Sequence, residues 1–355
     1  MKNIIKKIFC LLLCIAVIFV FSSCSGNNLF SKKQRFQTSF LDLFDTASTI
    51  IAYDSSQKKF DEHYLAFHDK LEEYDRLYDI YKSYDGITNL YTVNQEAKNG
   101  PVKVDKKIID MLEYGKYAYE ISGGKTNICF GSVLRLWHDC REAAENNPEN
   151  AKLPDIQELR EAAKHTDIND LVIDRENSTV YFSDPELQLD VGAIAKGYAV
   201  QEVCKWAEEN LWTSAAISIG GNVTTIGYKN DDGETLWNIG IENPDSEADD
   251  YLENVGISNL SVVTSGDYQR YYTVDGEKYC HIINPETLYP AKFMSAVSVI
   301  CNDSALGDAL STTLFNMTIE DGKRLVDSMD NVEAVWVDRD FNKVFSTGFE
   351  QYIMK

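Results

Sequence analysis

Four short segments of the chain combine residue types that are used in phosphate chemistry. Asp190 ends an apolar segment, and Lys196 follows within two turns of a predicted helix start near Gly192. A helix N-terminus offers free N–H groups and a positive dipole end, both of which suit a phosphate. The alternative, which this segment alone favours, is an ordinary aspartate N-cap followed by an exposed lysine.

The second segment contains a carboxylate and a hydroxyl at helical spacing. Asp308 and Thr312 are four residues apart in a predicted helix, so their side chains share one face. Mg²⁺ uses hard oxygen ligands of this kind together with substrate phosphates. The alternative, again favoured by the pair alone, is a polar helix face on which Thr312 bonds back to a backbone carbonyl.

The third segment places a histidine before a turn, and the fourth is a set of glycine turns. His281 ends a predicted strand shortly before Asn284-Pro285. An imidazole there could have a functional role, as a general base or a cofactor ligand, or a purely structural one. Its position alone does not decide between the two.

Glycines after apolar strands, at 220–221 and 266, permit close approach of a ligand to the backbone.

Composition and charge limit the function classes. The 355 residues are 44% hydrophobic and 25% charged, which excludes a disordered, collagen-like or polytopic membrane protein. The 34 basic and 56 acidic residues give a net charge of −22. Such a surface repels phosphate backbones, so we expect no nucleic-acid partner. An anionic cofactor would need local cations, a helix N-terminus or a metal.

The N-terminus has the pattern of a targeting segment. Lys2, Lys6 and Lys7 precede the apolar run 8–21, and Ser-Ser-Cys24 follows it. The run is shorter than the roughly 20 residues that span a bilayer. The pattern resembles a bacterial lipoprotein signal with lipid attached to Cys24, which predicts a protein on the extracytoplasmic face of the cell membrane. The alternative is a retained signal anchor.

The cysteines do not predict a disulfide framework or a zinc site. Five of the eight remain after the signal and Cys24 are set aside, and no C-x-x-C pair occurs among them. We interpret most of these as small buried apolar residues: Cys129, Cys140, Cys204, Cys280 and Cys301.

The pattern of elements predicts an α+β fold in one compact unit with two lobes. Residues 1–23 are predicted as the signal peptide, 24–35 as a tether and 36–355 as the folded domain. Apolar spacing predicts helices over 61–84, 106–121, 154–164, 194–210, 305–315 and 319–328. Strands are predicted within 40–54, 171–184, 214–228, 260–276, 279–285, 334–338 and 343–347. Adjacent hairpins mixed with separate helices favour α+β over regular βαβ alternation.

Seven segments, taken in order, resemble the ApbE family of FAD:protein FMN transferases. They are LFDTAST (43–49), GGKTNICFGSVLRLW (123–137), LDVGAIAKGYAV (189–200), ISIGGN (217–222), TSGDYQRYY (264–272), HIINPETLYP (281–290) and GDALSTTLF (307–315). The resemblance covers almost all of the chain after the signal. Members of this family are often extracytoplasmic lipoproteins.

The resemblance implies a role for each of a set of residues. It implies FAD contacts at Phe44, Tyr81, Lys125, Thr126, Asn127, Asp190, Lys196 and Ile283. It implies Mg²⁺ ligands at the Ala193 carbonyl, Asp308 and Thr312. Phe44 stands where the family has a methionine that lies on the flavin. Asn127 and Asn284 replace family aspartates, Leu288 replaces a glycine, and Cys129 and Ser132 replace a threonine and a proline.

The expected activity is Mg²⁺-dependent transfer of FMN from FAD to a Thr or Ser hydroxyl of an extracytoplasmic protein of redox or electron-transfer type, with release of AMP. His281 is the candidate for assisting removal of the hydroxyl proton. Two alternatives use the same residues. One is an FAD pyrophosphatase, in which water replaces the acceptor hydroxyl, and the other is a non-catalytic flavin-binding lipoprotein.

Overall fold

An antiparallel sheet of eight strands runs through the centre of the fold. The computed structural model describes residues 33–245, 247 and 251–355, and residues 33–355 form one compact unit. The predicted signal peptide, Cys24 and the predicted tether as far as residue 32 lie outside the described residues. The first strand begins at Gln34, so the last two residues of the predicted tether belong to the sheet.

The strands are arranged in one large sheet and three small ones. In spatial order the large sheet contains β1 (Gln34–Phe40), β2 (Ser48–Asp54), β6 (Ala215–Ile219), β7 (Asn222–Ile226), β10 (Ser261–Gly266), β13 (Ala296–Cys301), β14 (Glu333–Val337) and β15 (Lys343–Phe345). The small sheets are β3 (Val102–Lys103) with β5 (Thr179–Phe182) and β4 (Leu171–Asp174), β8 (Trp237–Glu242) with β9 (Tyr251–Ile257), and β11 (Tyr271–Val274) with β12 (Glu277–Cys280).

Eight α-helices lie in the described part of the chain. They are α1 (Gln57–Tyr78), α2 (Leu90–Glu96), α3 (Lys106–Ile121), α4 (Gly131–Asn146), α5 (Ile156–Ala162), α6 (Ala195–Asn210), α7 (Ser304–Phe315) and α8 (Ile319–Asp327). None of the helices in these described ranges combines the length and apolarity needed to cross a bilayer.

Strand β13 illustrates how the layers pack. All six of its residues are buried, and they alternate between two apolar clusters. Val297 and Val299 pack with Leu310 of helix α7, whereas Ala296 and Ile300 pack with the β8–β9 hairpin. The sheet therefore lies between a helical layer and a hairpin. Separate helices and antiparallel strands of this kind confirm the predicted α+β class.

One predicted helix has different bounds in the structure, and two helices, α2 and α4, were not predicted. The helix predicted over 61–84 is α1, which begins after its N-cap Ser56 and ends at Tyr78. The Asp79 carboxylate accepts the N–H groups of Tyr81 (2.7 Å) and Lys82 (3.1 Å), and this local turn replaces further helical bonds. Helix α4 was not predicted, because its N-terminal residue makes no side-chain cap and gives no sequence signal.

Candidate active site

The start of helix α6 is closed by a carboxylate from another helix. The N-cap residue Ile194 makes no side-chain bond. Instead, Oδ2 of Asp308 on α7 accepts the N–H of Gly197 at 2.7 Å. A Cβ on Gly197 would lie 2.4 Å from both the Asp308 Cβ and the Ser304 carbonyl oxygen. Glycine is therefore what lets the two helices approach closely enough for this bond.

Lys196 lies beside this crossing. Its ammonium donates to Oδ1 of Asn222 at 2.5 Å and to the Gly220 carbonyl at 3.4 Å. It also stands 3.8 Å from Oδ1 of Asp308. Desolvation lowers the pKa of Lys196, the Asp308 carboxylate opposes that change, and Arg270 adds to it. The lysine is thus a fixed cation, and the alternative of an exposed lysine is wrong.

Asp190 stands at the turn that leads into α6. Its Oδ1 accepts the N–H of Gly192 at 2.9 Å. The helix itself begins at Ala195, after the start suggested near Gly192 and one residue into the predicted range 194–210. Burial raises the pKa of Asp190, while the Gly192 N–H and then the charges of His138 and Arg141 act in the opposite direction. Asp190 therefore closes a local turn, and Asp308 caps the N-terminus of α6 instead.

Three oxygen atoms around the α6–α7 crossing fit a hard cation. Gly197 gives its N–H to Asp308, so the Ala193 carbonyl receives no helical bond from it. Within the described residues the Thr312 hydroxyl makes no hydrogen bond; the neighbouring Thr313 is the residue that bonds back to a carbonyl, that of Ala309, at 2.8 Å. With Oδ1 of Asp308, these atoms supply one carboxylate and two neutral oxygens.

This donor set suits Mg²⁺ that shares its coordination with a substrate. No group of three or more His, Cys, Asp or Glu side chains that could hold a metal occurs among the described residues. A cation at the crossing would therefore take its remaining ligands from water or from phosphate oxygens, as Mg²⁺ commonly does. The residues present fit the metal that the sequence predicted.

His281 follows strand β12, and the residue is exposed. Its backbone N–H donates to the Arg270 carbonyl at 3.1 Å, and its Nδ1 lies 3.1 Å from the same oxygen. Desolvation, and then the charge of Arg270, lower the pKa of His281 to about 4. The imidazole is therefore neutral at pH 7 and able to accept a proton.

The sequence did not predict three further residues near the site: Arg270, His138 and Arg141. The Tyr81 and His138 rings lie 4.9 Å apart, and the Arg141 guanidinium is 2.9 Å from the His138 Nδ1. The charges of Asp190, Arg141 and Arg270 all act on the exposed Tyr81 hydroxyl, whose pKa burial raises to about 12. These arginines supply the local cations that an anionic ligand needs on an acidic protein.

A signal for one of these residues was present in the sequence. Asp275 and Gly276 both adopt positive φ, as a type I′ turn requires. This two-residue loop pairs Tyr271 with Cys280, so the next pair outward is Arg270 with His281. Arg141 and His138 lie on α4, so they could be placed only once that helix was known.

Two of the predicted FAD contacts are structural in this fold. Thr126 is 1% exposed, and its hydroxyl bonds to the Ala309 carbonyl (3.1 Å) and the Thr313 hydroxyl (2.8 Å) of α7. Ile283 is buried in the apolar cluster around Trp137. Both residues hold elements of the site in place, and neither side chain is exposed to a ligand.

Phe44 and Lys125 are open enough to reach a ligand. Phe44 is partly buried, with φ at 54°, and its N–H donates to Asp75 on α1 at 2.9 Å. Lys125 forms an ion pair with Glu286, which is 73% exposed. The FAD contacts implied for these two residues stay predictions.

Both asparagines that replace family aspartates use a donor that aspartate lacks. Asn127 accepts the N–H of Cys129 and donates to the Thr166 carbonyl at 2.9 Å. The Asn284 side chain accepts the N–H groups of Glu286 and Thr287, and it donates to the Asn316 carbonyl at 3.3 Å. Each amide keeps the turn and adds a bond to another segment.

The turn after His281 is retained despite the loss of its glycine. Leu288 adopts φ of 63°, its N–H donates to the Asn284 carbonyl at 2.8 Å, and its own carbonyl accepts from the Trp137 indole at 3.0 Å. The leucine side chain is buried in the same apolar cluster. Burial therefore holds a leucine in a conformation that glycine adopts without strain.

The fold is an antiparallel sheet with a close crossing of α6 and α7. The crossing carries Asp308 and Lys196 together with the Ala193 carbonyl and the Thr312 hydroxyl, which suits a protein that binds a phosphate-containing ligand. The model of the ApbE family matches residues 44–336, and the chain belongs to this family.

The chain is similar to proteins that are named FAD:protein FMN transferase. An "FAD:protein FMN transferase" of Treponema pallidum is 31% identical over 260 residues, which cover 70% of each chain. A protein of the same name from Klebsiella pneumoniae is 27% identical over 280 residues, covering 77% of this chain and 84% of the relative. The crystal structure of the ApbE protein from Thermotoga maritima superimposes with a TM-score of 0.78 at 28% identity, covering 91% of this chain and 100% of that one.

Proposed function

We propose that this protein transfers FMN from FAD to a Thr or Ser hydroxyl of an extracytoplasmic acceptor protein and releases AMP. It is an enzyme of the FAD:protein FMN transferase type, which is the activity named for its relatives. The observation that carries the proposal is the α6–α7 crossing, where free oxygens for a metal lie beside the cation of Lys196.

The reaction is a displacement at the phosphorus of the FMN half of FAD. The acceptor hydroxyl oxygen forms a bond to that phosphorus, and the bond to the bridging oxygen breaks, so AMP leaves with that oxygen. His281 takes the hydroxyl proton. Ala193, Asp308 and Thr312 would hold Mg²⁺, which would supply charge neutralisation at the pyrophosphate. Lys196 and the two arginines orient the same anion.

The arrangement relies on positioning and charge more than on covalent chemistry by the protein. Phosphoryl transfer needs an in-line hydroxyl and stabilised oxygens, and a prealigned site supplies both. The basic-apolar-cysteine N-terminus supports lipid attachment at Cys24 and a location on the outer face of the cell membrane. An acceptor of redox or electron-transfer type on that face would be within reach.

The test is incubation of the purified protein with FAD, MgCl₂ and candidate acceptor proteins. In-gel flavin fluorescence on the acceptor, together with AMP in solution, is the expected result. Free FMN and AMP without a labelled acceptor would instead establish a pyrophosphatase. Unchanged FAD with measurable binding would leave a flavin-binding protein. A threonine-to-alanine acceptor serves as the control, because it lacks the nucleophile.

A further inference from the structure

Arg270 and His281 face each other across the end of the β11–β12 hairpin. The ladder pairs Tyr271 with Cys280, and the His281 N–H continues it by donating to the Arg270 carbonyl at 3.1 Å. Residues directly opposite each other in an antiparallel pair project to the same face. Both residues are exposed, so the arginine lies beside the imidazole on the surface of the hairpin.

The shared carbonyl determines where the imidazole proton lies. The Nδ1 of His281 is 3.1 Å from the Arg270 oxygen, and a carbonyl oxygen can only accept. In the neutral ring Nδ1 must therefore carry the proton, and Nε2 carries the lone pair. Among the described residues no hydrogen bond occupies that Nε2.

The guanidinium of Arg270 makes a second connection. Its Nη2 donates to the Asp45 carbonyl at 3.4 Å, where the chain turns through two successive residues with positive φ, Phe44 and Asp45. This bond joins the hairpin to the β1–β2 turn. It also holds a positive charge beside His281.

Three cations lower the pKa of His281, and the hydrogen bond to the Arg270 carbonyl raises it. Arg270 comes from the hairpin, Arg141 from α4 and Lys196 from α6. Burial is the largest cause of the lowered pKa of the ring, and Arg270 is the largest charge contribution. A protonated imidazole would add a fourth positive charge, so the neutral ring is favoured.

We propose that Arg270 is a positioning residue for His281. Its carbonyl fixes the Nδ1–H tautomer, and its guanidinium, anchored on Asp45, keeps the ring neutral so that Nε2 can accept a proton. The inference rests on the proposed function, because it names the atom that would take the proton of the acceptor hydroxyl. The titration that tests it requires no transfer.

The experiment is an NMR titration of the full-length chain labelled on its histidine rings, with His281→Gln to assign the resonance among five histidines. In the wild type we expect an Nδ1–H ring with a pKa near 4. Arg270→Gln should raise that pKa by about one unit, because one neighbouring charge is lost. Arg270→Lys should keep it low, because the charge remains. Arg175→Gln, which removes an arginine paired with Asp110 and Glu113, is the matched control and should change nothing.

Two results would overturn the inference. One is an Nε2–H ring in the wild type, and the other is an unchanged His281 pKa in Arg270→Gln. If Arg270→Gln does not fold, the inference is tested by the tautomer of His281 in the wild type and by the His281 pKa in Arg270→Lys. In transfer assays, the acidic limb of the pH–rate profile should move upward in Arg270→Gln by the same amount. A wild type that titrates as expected but transfers no flavin would reject the proposed function and leave this assignment in place.

Discussion

Asp308 combines two roles in one side chain. One oxygen caps α6 through Gly197, and the other lies toward Lys196 and the free oxygens. From the sequence alone, its loss would be expected to leave folding intact. The structure predicts that its loss also destabilises the fold, because the N-cap residue of α6 makes no side-chain bond.

We predict that Asp308→Ala abolishes transfer and also lowers the free energy of unfolding by about 0.5–2 kcal/mol, the cost of a lost N-cap. Chemical denaturation and Mg²⁺-dependent thermal shift measure the two effects. Asp303→Ala is the control, since Asp303 caps α7 through Ala305 and Leu306. It should lose similar stability but keep the Mg²⁺ response. A normal Mg²⁺ shift in Asp308→Ala would contradict the metal assignment.

Leu288 offers a test of backbone strain. Alanine and glycine both remove its buried side chain, but only glycine adopts φ of 63° without cost. We predict that Leu288→Gly is destabilised less than Leu288→Ala, by about 1 kcal/mol, the reverse of their order inside helices. Urea unfolding of both variants gives the answer. Equal stabilities would mean that the turn relaxes when the leucine is removed.

At the scale of the elements, the α6–α7 crossing controls the site. The two helices meet at Gly197, where an added methyl group would overlap a backbone oxygen and the Asp308 side chain. Backbone atoms yield less readily than the end of a side chain, so the helices would have to separate.

Gly197→Ala should therefore destabilise the fold by about 1–3 kcal/mol and weaken Mg²⁺ binding. Gly115→Ala on α3 is the matched control. A methyl group there meets only the Ile128 side chain, and alanine favours a helix interior. Calorimetry of Mg²⁺ binding and denaturant unfolding measure both variants. Unchanged Mg²⁺ affinity in Gly197→Ala would show that the crossing does not position the carboxylate.

The sequence predicts elements better than it predicts contacts between them. Apolar spacing located α3 and placed the start of α6 within one residue, because both have regular buried faces. It could not reveal that Asp308 caps another helix, since that bond joins residues far apart in the chain. The family resemblance implied an FAD contact at Thr126, and only the fold shows that its hydroxyl bonds to Thr313 of α7.

At the scale of the whole molecule, charge and targeting set the working environment. Without residues 1–23 the chain loses three lysines, so 31 basic residues face 56 acidic ones and the charge falls from −22 to −25. The surface is therefore strongly acidic, and the cations of the cleft are a local exception. An anionic lipid surface would repel such a domain, so membrane attachment would depend on the predicted lipid at Cys24.

We predict that Cys24→Ala releases the protein from the membrane fraction or leaves an unprocessed precursor, because lipid attachment requires the thiol. Fractionation and the intact mass of the product measure this. Cys14→Ala, within the apolar run of the signal, is the control and should behave as the wild type. Unchanged membrane partitioning and mature mass in Cys24→Ala would reject lipid attachment.

The order of strands in the large sheet has a consequence for how the chain acquires its structure. β2 pairs with β6, joining Ile50 to Ile217, and the intervening residues include six α-helices and a small sheet. Closing so long a loop is costly and slow, so the sheet cannot nucleate from its first hairpin alone. During synthesis the N-terminal half must wait, without its partner strand, until β6 has emerged. For the export that the N-terminal pattern predicts, such a delay would keep the chain unfolded while it is threaded through a narrow channel.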